Sequence, residues 1–280
     1  MSLPSLDTIA EQHRIVGRKA ELRAILAVVA AGRNALLEGP VGVGKTVLAR
    51  AVSEALGRGM IRVDGDGRYT EGKLVGHFDP PTVLAQGYVP EAFVPGPLVE
   101  AMRAGAVLFV NELNRMPEGV QNVLLPALDE GIIHVPHLGA LKAAPGFSVI
   151  ATQNPAEFVA TGHLSEALLD RFELVRLSYQ SMDDERAIVR QEARLSPTDA
   201  VIAQSVQLAR ATREDARIRR GASVRAAVAI ADLAMALDGD VEAAAALALP
   251  TRIELTDGRD TPVEDILRDL QKKSLSLAQR

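Results

Sequence analysis

Hydrophobic positions follow two different rhythms along this chain, and the change between them divides it. Up to about residue 180, short apolar runs alternate with stretches of helical spacing. The runs are Ala35-Leu36-Leu37, Ile61-Arg62-Val63, Ala106–Val110, Phe147–Thr152 and Glu173–Leu177. Between them, Leu22, Ile25, Leu26 and Val29 recur at helical spacing within Lys19–Ala30, as do Val120, Leu124, Ala127 and Leu128 within Pro117–Glu130. Leu98–Arg103 reads as a brief helix stopped by Gly105, and Leu164–Arg171 as a second short one. Apolar runs without polar alternation suit strands buried on both faces, and their alternation with helices predicts a parallel α/β sheet. Beyond about Gln180 the strand signal fades. Met182–Arg194, Pro197–Thr212, Ser223–Leu237, Val241–Leu249 and Val263–Leu270 all read helical. The pattern predicts a polar, loosely ordered extension over residues 1–14, an αβα core over 15–179 and a smaller all-helical domain over 180–280.

Two stretches interrupt the core. Residues 68–97 carry Pro80, Pro81, Pro90, Pro95 and Pro97, a density that disfavours long helices and reads as a long loop insertion. Residues 131–146, rich in glycine and proline, read as a hairpin excursion. Asp64-Gly65-Asp66-Gly67 has the opening of a calcium loop, but Arg68 occupies the third ligand position and no glutamate follows at the required distance, so it reads as a turn. His134 and His137 stand three apart, yet Val135-Pro136 between them precludes a regular helix and no third ligand is evident.

Composition narrows the class. With 48% hydrophobic residues but only 3% aromatic among 280, the core is aliphatic. A formal charge of −5, from 31 basic against 36 acidic residues, argues against a nucleic-acid-binding role. The short basic cluster Arg217-Ile218-Arg219-Arg220 reads as a solvated helix end. Absence of cysteine excludes disulfides, thiolate metal sites and cysteine catalysis. No apolar run reaches the ~18 residues of a membrane span, and no signal-peptide pattern opens the sequence, which predicts a cytoplasmic protein.

The sharpest chemistry lies at Gly39-Pro40-Val41-Gly42-Val43-Gly44-Lys45-Thr46, followed by Val47 and a helix start. This is G-x-x-x-x-G-K-[ST], a phosphate-binding loop entered from a strand. Its glycines let backbone N–H groups converge on an anion, and the helix adds its N-terminal donors and positive dipole end. Lys45 is a cation for the β- and γ-phosphates, and the Thr46 hydroxyl is a Mg²⁺ ligand. Ligands of such sheets sit at the carboxyl ends of strands. Two later strands deliver Asn111-Glu112 and Asn154 there. Glu112 is a candidate base for the attacking water, and the Asn154 amide a candidate contact to the γ-phosphate or that water.

With these residues in place the chain resembles the AAA+ ATPases, and within them the MoxR-like group, related to magnesium chelatase ATPase subunits and dynein/midasin-like modules. The matching segments are Leu37–Thr46, Asn111–Arg115, Val149–Pro155, Leu168–Phe172 and Gly221–Arg225; Leu74–Asp79 is similar to the dynein/midasin-like modules. The resemblance implies a P-loop core with a helical lid. It makes Lys45 and Thr46 Walker A, Asn111-Glu112 Walker B, Asn154 sensor 1, Arg171 an arginine finger acting on the neighbouring subunit, and Arg225 sensor 2 in the lid. It also implies ATP and Mg²⁺, a homo-oligomeric ring, commonly a hexamer, and a client protein remodelled or activated by it, with a von Willebrand A domain protein as an expected partner. Residues 68–97 and 131–146 would be the helix-2 insert and the pre-sensor-1 hairpin.

Arg225 invites the same role on physical grounds, because a cation near the start of an apolar helix opposes the dipole and needs an anion. Asp232, two turns on, is its competing partner; for Arg171 the competitors are Glu166, Asp170 and Glu173. One departure stands out: the Walker B aspartate is Asn111. An asparagine keeps the acceptor oxygen but loses a charge beside a dication. Reduced Mg²⁺ affinity or turnover is the expectation, with hydrolysis retained through Glu112. The alternative readings are a nucleotide-gated assembly scaffold with little turnover and, against the acidic balance, a DNA-associated motor.

Overall fold

The computed structural model describes residues 4–154, 164–256, 265–266 and 268–270. By their contacts they fall into two compact units, Met1–Gly39 with Gly44–Leu177 and Pro40–Val43 with Ser178–Arg280.

In the first unit α1 (Leu6–Gln12) and α2 (Lys19–Ala30) precede β1 (Asn34–Glu38), α3 (Lys45–Ala55) and β2 (Met60–Asp64). An excursion of α4 (Glu71–Val75), β3 (Gly76–Phe78), α5 (Pro80–Gln86) and β4 (Phe93–Pro95) leads to α6 (Pro97–Ala104) and β5 (Val107–Asn111). Next come α7 (Glu118–Asn122), α8 (Leu124–Asp129), the hairpin β6 (Ile132–Val135) and β7 (Gly139–Lys142), β8 (Ser148–Gln153), α9 (Glu166–Leu169) and β9 (Phe172–Arg176). The sheet runs β2-β5-β8-β1-β9. Every neighbouring pair in it is parallel. Every residue of β8 is buried, as are the first four of β1 and of β5, so the unbroken apolar runs are sheet interior. Leu36, Leu108, Val110, Val149 and Ala151 pack there with Leu98, Met102 and Leu124.

Four expectations change. Residues 1–14 are not loosely ordered throughout: the Ser5 hydroxyl caps α1 by accepting from the Thr8 N–H, and Ile9 is buried. Residues 68–97 are a folded excursion, not an irregular loop. Most of its prolines open helices, where a missing N–H costs nothing: Pro80 and Pro81 fill the first turn of α5 behind the Asp79 cap, and Pro97 starts α6, whereas Pro95 ends β4. The single helix expected over 117–130 is two, since Pro126 has no N–H to bond the carbonyl four residues back, at Asn122. The fourth change lies in the second unit.

That unit holds α10 (Met182–Glu192), α11 (Asp199–Glu214), β10 (Ile218–Arg220), α12 (Val224–Ala236), α13 (Val241–Ala248) and β11 (Glu254–Leu255). It is therefore not all-helical, because β10 pairs antiparallel with β11. The basic cluster is this strand rather than a solvated helix end. Ile218 points into the core while Arg219 and Arg220 pair with Glu254. Arg217 is bound by Asp215 and Asp269, which raise its pKa further. Inside the unit the buried Glu185 carboxylate accepts from Arg210 at 3.1 Å and Arg213 at 2.7 Å, and Arg213 lies over the Tyr179 ring. Both charges of such a pair need their partners when withdrawn from water. Of the helix expected over Val263–Leu270, residues 265, 266 and 268–270 are described, and all five are helical.

Candidate nucleotide site

β1 ends at Glu38, and the P-loop begins. Gly39 is required by sterics: a Cβ there would lie 2.2 Å from the Leu177 carbonyl oxygen. Gly42 and Gly44 take φ of +82° and +95°, conformations that cost a side-chain-bearing residue, and Gly44 caps α3. Helical bonding in α3 starts with the Leu48 N–H on Gly44, so the N–H groups of Lys45, Thr46 and Val47 precede the ladder at its N-terminal end. Lys45 Nζ donates to the Gly39 carbonyl at 2.5 Å, folding back over the loop. Thr46 is half-buried, and the Val47 side chain is exposed. Pro40, Val41, Gly42 and Val43 belong by contacts to the second unit. A Cβ on Gly42 would fall 2.5 Å from Ser223 Oγ and 3.8 Å from Arg225 Cδ, which places Arg225 beside the loop. Gly39→Ala is expected to cost about 1–3 kcal/mol of stability, because the clash is with backbone. Urea unfolding checks this; an unchanged midpoint would mean that the loop relaxes freely.

β5 and β8 are adjacent and parallel, with β1 next to β8, so the residues leaving β1, β5 and β8 emerge at one edge of the sheet. Glu112 follows β5 in the left-handed region, at φ 56° and ψ 52°. A glutamate there is strained, and such strain concentrates at functional sites. Its N–H donates to Thr152 Oγ1 at 2.8 Å, and its carboxylate receives Arg115 at 2.8 Å. Asn111 is held from both flanks: its Nδ2 donates to Asp64 Oδ1 at 2.9 Å, and its Oδ1 accepts from the Thr152 hydroxyl at 3.1 Å. Asn154, one residue beyond β8, is buried at 3% exposure. On β1 itself, Glu38 accepts from Gln153 of β8 on one flank and from Arg176 of β9 on the other.

The sequence-predicted residues Lys45, Thr46, Asn111, Glu112 and Asn154 thus share one sheet edge. Arg171 does not join them in this chain. Its guanidinium donates to Asp129 Oδ2 at 2.9 and 2.7 Å and to the Ala167 carbonyl at 2.6 Å, and Asp129 raises its pKa. The competitors named from sequence play little part, Asp170 lying at 3.9 Å. Arg225 is exposed and makes no hydrogen bond or ion pair with any described residue. Its expected rival Asp232 instead accepts the Arg194 and Leu195 N–H groups. The sequence reading gives Thr152 and Asp64 no part in this site; strand register brings them to Asn111. His137 stacks on Tyr88 at 3.9 Å, an aromatic rather than a metal contact.

Asn111 and Thr46 present neutral oxygens rather than an acidic cage. That set fits Mg²⁺ arriving with a nucleotide, since this ion keeps several waters and takes one or two protein oxygens besides phosphate.

The sequence profile of the AAA domain family (dynein-related subfamily) matches residues 34–172, the span from β1 to β9. A gas vesicle ATPase, GvpN2 of Halobacterium salinarum, is 30% identical over 256 residues, covering 86% of this chain and 73% of its own. The chain belongs to the AAA+ ATPases, in their MoxR-like branch. An uncharacterised protein of Staphylococcus haemolyticus is 32% identical over 207 residues, covering 72% of this chain and 78% of its own. Among solved structures, a Thermotoga maritima RuvB variant superposes with a TM-score of 0.56 at 19% identity, covering 97% of this chain and 73% of its own. Brucella abortus NtrX in complex with ADP gives 0.56 at 20% identity, covering 96% and 63%. These two likenesses speak to the fold alone. Among the described residues of this AAA+ chain, no helix is long and apolar enough to cross a membrane.

Proposed function

We propose that this AAA+ protein binds ATP with Mg²⁺ and hydrolyses it in a homo-oligomeric ring, using the cycle to remodel or activate a client protein. The carrying observation is the shared edge: P-loop, Asn111-Glu112 and Asn154 leave three adjacent parallel strands together. Residues 15–179 form the nucleotide core and 180–280 the lid in this reading. The loop N–H groups and Lys45 bind the phosphates, and Thr46 with Asn111 would hold the metal, which supplies charge neutralisation to them when bound. Glu112 takes the proton of the attacking water after releasing Arg115. Asn154 orients that water or the γ-phosphate, and Arg225, beside Gly42 and without a hydrogen bond or ion pair to any described residue, answers the phosphate charge. Arg171 acts on the neighbouring subunit's nucleotide. A hexamer, a von Willebrand A domain partner and a cytoplasmic setting complete the proposal by family resemblance.

A second reading, a nucleotide-gated scaffold with little turnover, draws support from Asn111 and from the Glu112–Arg115 pair. Steady-state ATPase activity measured against protein concentration with Mg²⁺ separates the two. Specific activity that rises as rings assemble is the expected result. Tight ATP binding without turnover at any concentration, with client candidates present, supports the scaffold.

A further inference from the structure

At the outer edge of the sheet, Asp64 and Asn111 are register partners on the parallel strands β2 and β5. Their side chains touch, Nδ2 of Asn111 lying 2.9 Å from Oδ1 of Asp64. An ionised carboxylate only accepts hydrogen bonds, so it can meet the asparagine amide only through its nitrogen. The amide oxygen is then committed to the opposite side, toward β8, where the Thr152 hydroxyl donates to it at 3.1 Å. The same hydroxyl accepts the Glu112 N–H, which ties the amide's orientation to the turn that carries the candidate base. Asp64 is itself held by Arg62 through contacts of 2.7 to 3.1 Å.

We propose that Asp64 is a positioning residue for the nucleotide's Mg²⁺: it clamps the Asn111 amide so that its oxygen, not its nitrogen, faces the metal side. The proposal rests on the ATP-site reading above. It also explains why the amide at 111 belongs with an acid at 64. Asn111→Asp would set two carboxylates at hydrogen-bond distance, where like charges repel and the contact that orients the side chain at 111 is lost. A restored Walker B aspartate is therefore harmful here unless Asp64 is removed with it.

The test is a Mg²⁺ titration of the binding of a non-hydrolysable fluorescent ATP analogue, in wild type, Asp64→Ala, Asn111→Asp and the double variant, with an EDTA series for metal-free binding. Because the Asp64 side chain is 58% exposed, all four are expected to melt together; should Asp64→Ala unfold, Asp64→Asn takes its place. In the wild-type background Asp64→Ala is expected to raise the Mg²⁺ half-saturation about ten-fold, the usual cost of losing a partner of a metal ligand, without changing metal-free binding. In the Asn111→Asp background the same change is expected to lower it. This reversal of sign is something a merely structural Asp64 would not produce. An unchanged half-saturation, or the same shift in both backgrounds, overturns the proposal and leaves the ATP-site reading standing. Failure of the wild type to bind the analogue at all overturns both.

Discussion

Glu112→Gln is expected to stop turnover while leaving nucleotide bound. The change keeps the size and shape of the side chain and removes only its ability to take a proton. General-base catalysis is worth about 10²–10⁴-fold, or roughly 3–5 kcal/mol of barrier. The local frame survives, because the left-handed backbone at φ 56° and the N–H bond to Thr152 do not involve the carboxylate. The ion pair to Arg115 at 2.8 Å is weakened to a neutral contact, but it is a three-residue neighbour at a half-exposed position and contributes little to folding. ATP affinity within about three-fold of wild type, beside a loss of at least about 100-fold in steady-state and single-turnover hydrolysis, is the expected pair of results. Turnover near wild type would remove Glu112 from the chemistry and leave its strained geometry as a cap on the turn before α7.

Why that residue was legible in the sequence, and its neighbours were not, follows from what each signal depends on. Glu112 ends an apolar run in a chain that already carries a P-loop, and topology alone brings such strand ends to one edge. Lys45, Thr46 and Asn154 are local to the same kind of run, so the core and most of its helices could be read in order. Asp64 looked like half of a turn, since Gly65 follows it. Its role depends on the pairing of β2 with β5, a long-range register that no local pattern encodes. Gly65 has the same origin: a Cβ on it would lie 2.1 Å from the Glu112 carbonyl oxygen. The strand Ile218–Arg220 was hidden for a related reason. Its hydrophobic content is one isoleucine, and what makes it a strand is its pairing with Glu254-Leu255, some thirty-five residues on. Prolines misled in the other direction, because whether they break a helix or begin one depends on the cap ahead of them, as at Asp79.

Arg171→Ala is expected to reduce hydrolysis about 10³-fold at concentrations where rings form, the scale on which an arginine finger acts. Within its own chain the guanidinium is engaged by Asp129 and the Ala167 carbonyl, so a role in catalysis requires it to serve a different subunit's nucleotide. The Asp129 contact then orients the side chain in advance, reducing what must be ordered when the neighbour arrives. A mixing experiment distinguishes this from an internal clamp. Arg171→Ala keeps its P-loop and Glu112 but lacks a finger to offer; Lys45→Ala lacks a working P-loop but retains Arg171. Each is expected to be inactive alone. Mixed, some interfaces combine an intact nucleotide site from the first with an intact finger from the second, so part of the activity returns, greatest near equal proportions. If the mixture stays silent although both variants enter the same rings, Arg171 serves only its contact with Asp129, and the charge at the nucleotide must come from elsewhere.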